Sequence, residues 1–248
     1  MQPLHQHTYR FTADQANCAG RMPLWLIVSR VIEVATEHAN ILGIGYADLL
    51  PMGIGWVLSR LSVEIVDSPE INTDYTFHTW IDSINRHYSE RSLTVTDHHG
   101  RDLMHIRTTW TCINFRERTL ALLDIIGADR FPTVGKVCPV TPMRKVRPLP
   151  DDARSMSYTF VYDDIDINCH VNTVQWVRLI LNAFDLDWHR RHTIMRFDIA
   201  FQHECRYGDT VSVRTAQGDT PDVTLCEIAD PEGRRAVSAS ITTRHSEF

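Results

Sequence analysis

Asp164-Ile165-Asp166-Ile167-Asn168-Cys169-His170-Val171-Asn172 is the densest run of polar chemistry in the chain. After it, Val174, Val177, Leu181, Phe184 and Trp188 recur at three- and four-residue spacing, which predicts a helix over 173–188. Backbone amides at a helix start are unpaired and favour negative charge. A carbonyl that becomes an oxyanion during attack is stabilised in such a place. In an extended run Asp166, Asn168 and His170 point the same way, setting a carboxylate, an amide and an imidazole on one side. Asp and Asn are also the preferred helix N-caps. One cap accounts for one such residue, not for four polar side chains followed by His.

The surroundings of this run recur earlier in the chain. Tyr158-Thr159-Phe160 precedes it, as Tyr9-Arg10-Phe11 opens the first half. Asn168-Cys169 stands before Trp176 at the spacing of Asn17-Cys18 before Trp25; on that displacement Ala19 corresponds to His170. In the first half a helix is predicted over 23–42, with Pro23 in its first turn and Gly43 at its stop. It is apolar on most faces, as suits a helix wrapped by a sheet. Alternating strands follow each helix, over 57–65, 75–81, 92–96 and 106–114, then over 196–201, 210–214, 223–228 and 236–243. The fold class is therefore α+β, a long helix packed on an antiparallel sheet, twice. Residues 128–157 hold Pro132, Pro139, Pro142, Pro148 and Pro150, a density that marks a linker. The expected domains are 1–127 and 158–248, joined by the basic linker 128–157.

The 248 residues accommodate two domains of ordinary size. A net charge of -6 argues against a general nucleic-acid binder. Only Lys136 and Lys145 among the 25 basic residues are lysines. Arginine suits carboxylate and phosphate recognition, although codon bias explains the same count. The six cysteines form no CxxC pair, which suggests reduced thiols in a cytosolic protein. Residues 1–10 lack the apolar run of a signal peptide, and residues 24–35 are too short and too charged to span a bilayer. A cytoplasmic location without a membrane span is expected. The histidine pairs His5/His7, His98/His99 and His189/His192 lack metal-ligand spacing, so no metal is expected. There is no phosphate loop, dinucleotide fingerprint or Gly-x-Ser-x-Gly elbow.

The run 164–172 resembles the Asp-x-Asp-x-Asn-x-His-Val-Asn signature of plant and bacterial acyl-acyl carrier protein thioesterases. Phe201-Gln202-His203-Glu204-Cys205 is similar to that family's second motif, an aromatic residue leading to Glu-Cys on a strand. Ala35-x-x-His38-Ala39, Gly55-Trp56-Val57-Leu58-Ser59-Arg60 and Thr79-Trp80 fit its N-terminal half. The resemblance covers about residues 9–243. It implies two tandem hotdog domains in one chain, a single active site in the second, and a first copy that lacks the imidazole and binds the acyl chain. It implies no cofactor; the partner is an acyl carrier protein bearing its acyl group on a phosphopantetheine arm.

On this reading Glu204 and His170 together activate a water as general base. Asn168 donates its amide to the thioester oxygen, and Asp166 orients the loop of Asn168 and His170. Cys205 is a rival nucleophile beside His170 and Asn168. Alternation along a strand, however, turns it away if Glu204 faces the site; the same alternation makes Cys169 structural. The basic residues Arg144, Lys145 and Arg147 would steer an acidic carrier; a solvated loop explains them equally. Three functions compete: hydrolysis of acyl-acyl carrier protein, a hotdog enzyme acting on acyl-coenzyme A as hydrolase or dehydratase, and a non-enzymatic acyl-binding module. Two fused hotdogs already form the pair that single-domain relatives reach by dimerising, so a monomer and a further homodimer both stay open.

Overall fold

The fold was obtained as a computed structural model describing residues 2–246. The chain forms two compact units, the first of residues 1–23 and 29–142, the second of 24–28 and 143–248. Each sets a helix against an antiparallel sheet.

In the first unit, β1 (Leu4–Arg10) leads to α1 (Leu24–Ile41), whose first five residues are counted with the second unit, and to a short α2 (Tyr46–Leu49). Strands β2 (Ile54–Ile65), β3 (Asp74–Ile84), β4 (Ser89–Asp97), β5 (Asp102–Asn114) and β6 (Thr119–Ala121) follow. The sheet order is β1-β3-β4-β5-β2, with β6 on β5. Ile27, Val28, Val31 and Val34 of α1 are fully buried, which is why the sequence reads as apolar on most faces. Gly43 ends the helix at φ 68°, a conformation glycine adopts without steric cost.

The few charges on α1 are tied to the sheet. The Arg30 guanidinium lies 4.2 Å above the Tyr9 ring, and Glu37 holds His5 and His7 at 2.9 Å. His38 is fully buried. Its Nε2–H donates to the Gln2 carbonyl (3.0 Å), leaving Nδ1 to accept from Arg91 Nη1 at 2.7 Å.

In the second unit, β7 (Arg154–Thr159) precedes α3 (Thr173–Asn182) and α4 (Leu186–Arg191). Then come β8 (His192–Phe201), β9 (Thr210–Gln217), β10 (Val223–Ala229) and β11 (Arg235–His245), in the order β8-β11-β10-β9-β7. Two expectations change here. The single helix over 173–188 is two, because Asp185 caps a new start by accepting from Trp188 N at 2.8 Å. The second domain, expected to open at residue 158, has its first strand from Arg154, inside the predicted linker.

The linker is also no free loop. Trp80 Nε1 donates to the Lys136 carbonyl (3.0 Å), the Lys136 ammonium sits 4.1 Å over the Trp80 ring, and Arg107 Nε donates to the Val140 carbonyl (2.9 Å). Further on, Val146 and Leu149 pack with Leu225, and Arg214 donates to the Pro150 carbonyl at 2.6 Å. Prolines leave the carbonyls of such a strap without partners in its own backbone, and arginines of each sheet supply them.

Burial, and then the Arg91 charge, hold the pKa of His38 at about 4, below its ordinary 6.5. The unfolded chain takes up that proton near pH 6.5 and the folded chain only near 4. The stability involved is present above 6.5 and is lost as pH falls towards 4. Urea unfolding at a series of pH values will show that loss, and His38→Gln, which cannot titrate, will flatten it.

Candidate active site

The polar run folds as a turn, not as an extended strand. Before it, the ring of Phe160 meets Trp176 edge-on at 5.0 Å, fixing β7 to α3. A 3₁₀ turn at Tyr162–Asp164 follows. The Asp164 carboxylate is buried there and accepts from Val161 N at 2.8 Å and the Tyr158 hydroxyl at 3.0 Å. Asp166 then organises the next four residues. Its Oδ1 accepts from Asn168 N (2.8 Å) and His170 N (3.2 Å). Its carbonyl accepts from Cys169 N (3.0 Å), and its N–H donates to the His170 carbonyl (2.8 Å). Closing so tight a loop requires Cys169 at φ 60°, the left-handed region uncommon for residues other than glycine.

The loop is pinned at both ends. Val171 N donates to the Cys205 carbonyl at 2.9 Å. Asn172 is the N-cap of α3, its side chain accepting from Gln175 N at 2.9 Å. The same contact with Cys205 brings Glu204 alongside. His170 Nε2 stands 3.3 Å from Glu204 Oε2, the imidazole 17% exposed and the carboxylate 40% exposed. This is a close imidazole–carboxylate contact, open to solvent on the carboxylate side. Asn168 is exposed at the turn beside it.

Of the residues singled out in the sequence, the fold brings His170 and Glu204 together, with Asn168 on the same turn. The Asp166 carboxylate is directed into the backbone of the turn, because two N–H groups compete for it. Glu204 and Cys205 do not lie on a strand: β8 ends at Phe201, and the N–H groups of Gln202 and His203 both donate to the Ala236 carbonyl. The two side chains nonetheless face opposite ways, Glu204 exposed and Cys205 1% exposed. Burial, followed by nearby Asp209, Asp230 and Glu232, pushes the Cys205 thiol up to about 12. It therefore stays protonated, and a thiol is not the nucleophile that a thiolate is. Cys169, expected to be structural, is exposed at the turn. Arg144 and Lys145 are exposed, and Arg147 pairs with Asp219 at 3.1 Å.

The first unit contains the same turn. Asn17 Oδ1 accepts from Ala19 N and Arg21 N, each at 3.0 Å. Its carbonyl accepts from Gly20 N, and its N–H donates to the Arg21 carbonyl. Asn17 thus corresponds to Asp166, Gly20 (φ 69°) to Cys169, and Pro23, the N-cap of α1, to Asn172. This register also matches Tyr9 with Tyr158 and Phe11 with Phe160. It corrects the pairing of Asn17-Cys18 with Asn168-Cys169, which lies two residues out: Arg21, not Ala19, takes the place of His170. The segment returning past Phe11 at Asn72 and Thr73 matches Gly208 and Asp209 past Phe160, setting Ser68 opposite Glu204. The first unit therefore has neither the imidazole nor the carboxylate. The signal available in the sequence was Tyr-x-Phe, whose displacement differs from that of Asn-Cys.

Residues 2–124 match the acyl-ACP thioesterase N-terminal domain, and residues 149–246 match its C-terminal domain. The chain belongs to the acyl-ACP thioesterase family. An oleoyl-acyl carrier protein thioesterase of Coriandrum sativum is 22% identical over 86% of the chain and 62% of its own length. The chain thus spans about three fifths of that curated relative. An acyl-ACP thioesterase from Bacteroides thetaiotaomicron superposes with a TM-score of 0.90 at 23% identity, covering 98% of both chains. The 12:0-ACP thioesterase from Umbellularia californica superposes at 0.88 with 18% identity, covering 99% of both. These likenesses establish the fold as two tandem hotdogs. No helix among the described residues is long and apolar enough to cross a membrane.

Thiol burial in this thioesterase-family chain makes a direct forecast. Cys18 and Cys169 are exposed, while Cys112, Cys205 and Cys226 are buried with thiols pushed up to about 12. In the folded protein at mildly alkaline pH, a disulfide reagent will modify Cys18 and Cys169 about tenfold or more faster than the other three. Mass spectrometry of the labelled peptides reads the rates.

Proposed function

We propose that the chain hydrolyses an acyl thioester carried on acyl carrier protein, releasing a free fatty acid. The observation that carries this reading is the His170–Glu204 pair at 3.3 Å, held by a capped turn, in the unit that keeps it while the other unit has Arg21 and Ser68. Family membership supplies the class of reaction.

A water placed between substrate and pair gives its proton to the His170–Glu204 couple as its oxygen bonds to the thioester carbon. The Asn168 amide donates to the carbonyl oxygen as negative charge gathers there. The tetrahedral species then collapses: the carbon–sulfur bond breaks, and the couple returns the proton to the departing thiolate. Asp166 acts through the turn, keeping Asn168 and His170 at fixed separation. Cys205, protonated and buried, takes no part.

The acyl chain is assigned to the first unit, where a pocket of about 220 Å³, open on one side, is lined by Ala35, Ala39, Ile44, Trp56, Ile81 and Phe131 among others. Exposed Arg144 and Lys145 supply charge that attracts an acidic carrier. The six free cysteines accord with a reducing cytoplasm.

His170→Ala and Glu204→Gln will each lower kcat by about 10²–10⁴-fold, and Asn168→Ala by about 10²–10³-fold, with circular dichroism unchanged. Free thiol and free fatty acid are measured together from matched acyl-carrier and acyl-coenzyme A panels. Faster release from coenzyme A would change the substrate and keep the site. No release from either, with acyl binding intact, would leave a binding module.

A further inference from the structure

The pocket of the first unit is mainly apolar, with Thr36, Ser89 and Tyr46 as neutral polar groups and Arg91 as its one charged residue. Arg91 of β4 lines it, yet the side chain is only 5% exposed. Its Nη1 donates to His38 Nδ1 at 2.7 Å and to Thr79 Oγ1 at 3.2 Å. Both partners are neutral: the His38 proton lies on the far nitrogen, bonded to the Gln2 carbonyl. No carboxylate among the described residues pairs with this guanidinium, whereas partly buried Arg196, Arg214 and Arg235 each have one. A guanidinium carries five N–H donors, and Nη1 accounts for the bonds Arg91 makes within the protein. A buried, unpaired charge is costly, and the side open to it is the pocket. Burial alone brings its pKa down to about 10, so it remains a cation at neutral pH.

We infer that this pocket holds an aliphatic chain ending in a carboxylate, with the carboxylate on Arg91 and the chain along Ala35, Ala39, Ile44 and Trp56. A planar guanidinium matches a carboxylate with two parallel bonds, and the apolar lining matches the chain. Two sources share this chemistry: a free fatty acid, the product of the proposed hydrolysis, and the far end of an acyl thioester that is itself a dicarboxylic half-ester. The pocket is the one assigned above to the acyl chain, so the inference rests on that reading for its biological ligand. Binding is read directly and does not need turnover.

Trp56 and Trp110 line the pocket, so intrinsic fluorescence of the full chain reports occupancy. Titration with decanoate, methyl decanoate and decylamine at neutral pH will give decanoate at least about tenfold tighter binding than the ester, with the amine weakest. Arg91→Gln removes the preference for acid over ester, and Arg91→Lys keeps part of it. Thr36→Trp, at an exposed position on the pocket lining, weakens all three ligands and serves should the Arg91 variants not fold. His170→Ala leaves the preference intact. Equal affinity for acid and ester, or a preference that survives Arg91→Gln or vanishes in His170→Ala, overturns the inference. In turnover, inhibition by free decanoate that competes with substrate points to the product. Preferential hydrolysis of an ω-carboxyacyl thioester points to the dicarboxylic source. Loss of turnover with carboxylate binding intact would fail the hydrolase reading alone.

Discussion

The second unit's chemistry depends on where one carboxylate oxygen goes. Asp166 Oδ1 accepts from two backbone N–H groups, those of Asn168 and His170. Such bonds to an ionised acceptor are short and strong. They fix the direction in which His170 leaves the main chain, and the bond from Val171 N to the Cys205 carbonyl fixes where Glu204 meets it. Rigid backbone, rather than a third side chain on the imidazole, positions the pair.

The two units separate what the fold requires from what the chemistry requires. Both keep the looped turn, the left-handed fourth residue and the helix whose N-cap lies two residues past the turn's end. Asn17 performs the backbone task of Asp166 with an amide oxygen, and Gly20 adopts without strain the φ that Cys169 reaches at φ 60°. The turn is therefore a structural joint between strand and helix. The imidazole and carboxylate are additions to one of its two copies. Replacing His by Arg21 and Glu by Ser68 leaves the joint intact, which is why a repeat in fold coexists with a single candidate catalytic pair.

Much of this was legible in the sequence, and the failures have physical causes. Helix α1 and the strands announce themselves because burial imposes period on side chains, as with Val31 and Val34 or Val237, Ala239 and Ile241. The break at Asp185 was hidden because the apolar spacing continues through it; only a cap residue marks the new start. The strand β7 was hidden because its side chains are mostly half-exposed or exposed. Whether the run at Asp166 is extended or looped is hidden because alternation of polar residues looks the same in both. Hydrogen bonding from an Asx side chain to its own backbone, the competitor to extension, leaves no mark in the pattern. The register error of the repeat has a similar origin, since Asn17-Cys18 and Asn168-Cys169 share letters and occupy different positions of one turn.

Nothing in the period or motif content of the chain marks Arg91. In sequence it sits in a strand among residues of ordinary β-propensity, and a charged residue there reads as facing water. Its environment comes from three separate segments: β3 through Thr79, α1 through His38, and the N-terminal Gln2 that settles which nitrogen of His38 carries the proton. A neutral imidazole accepts a hydrogen bond from the buried cation without balancing its charge, and a protonated one would repel it. His38 meets its share by remaining unprotonated far below its ordinary range. Arg91 has no such escape, because a guanidinium holds its proton even when burial lowers its affinity. An arginine retained under that cost, at the wall of a mainly apolar pocket, is accounted for when the balancing charge arrives with the ligand.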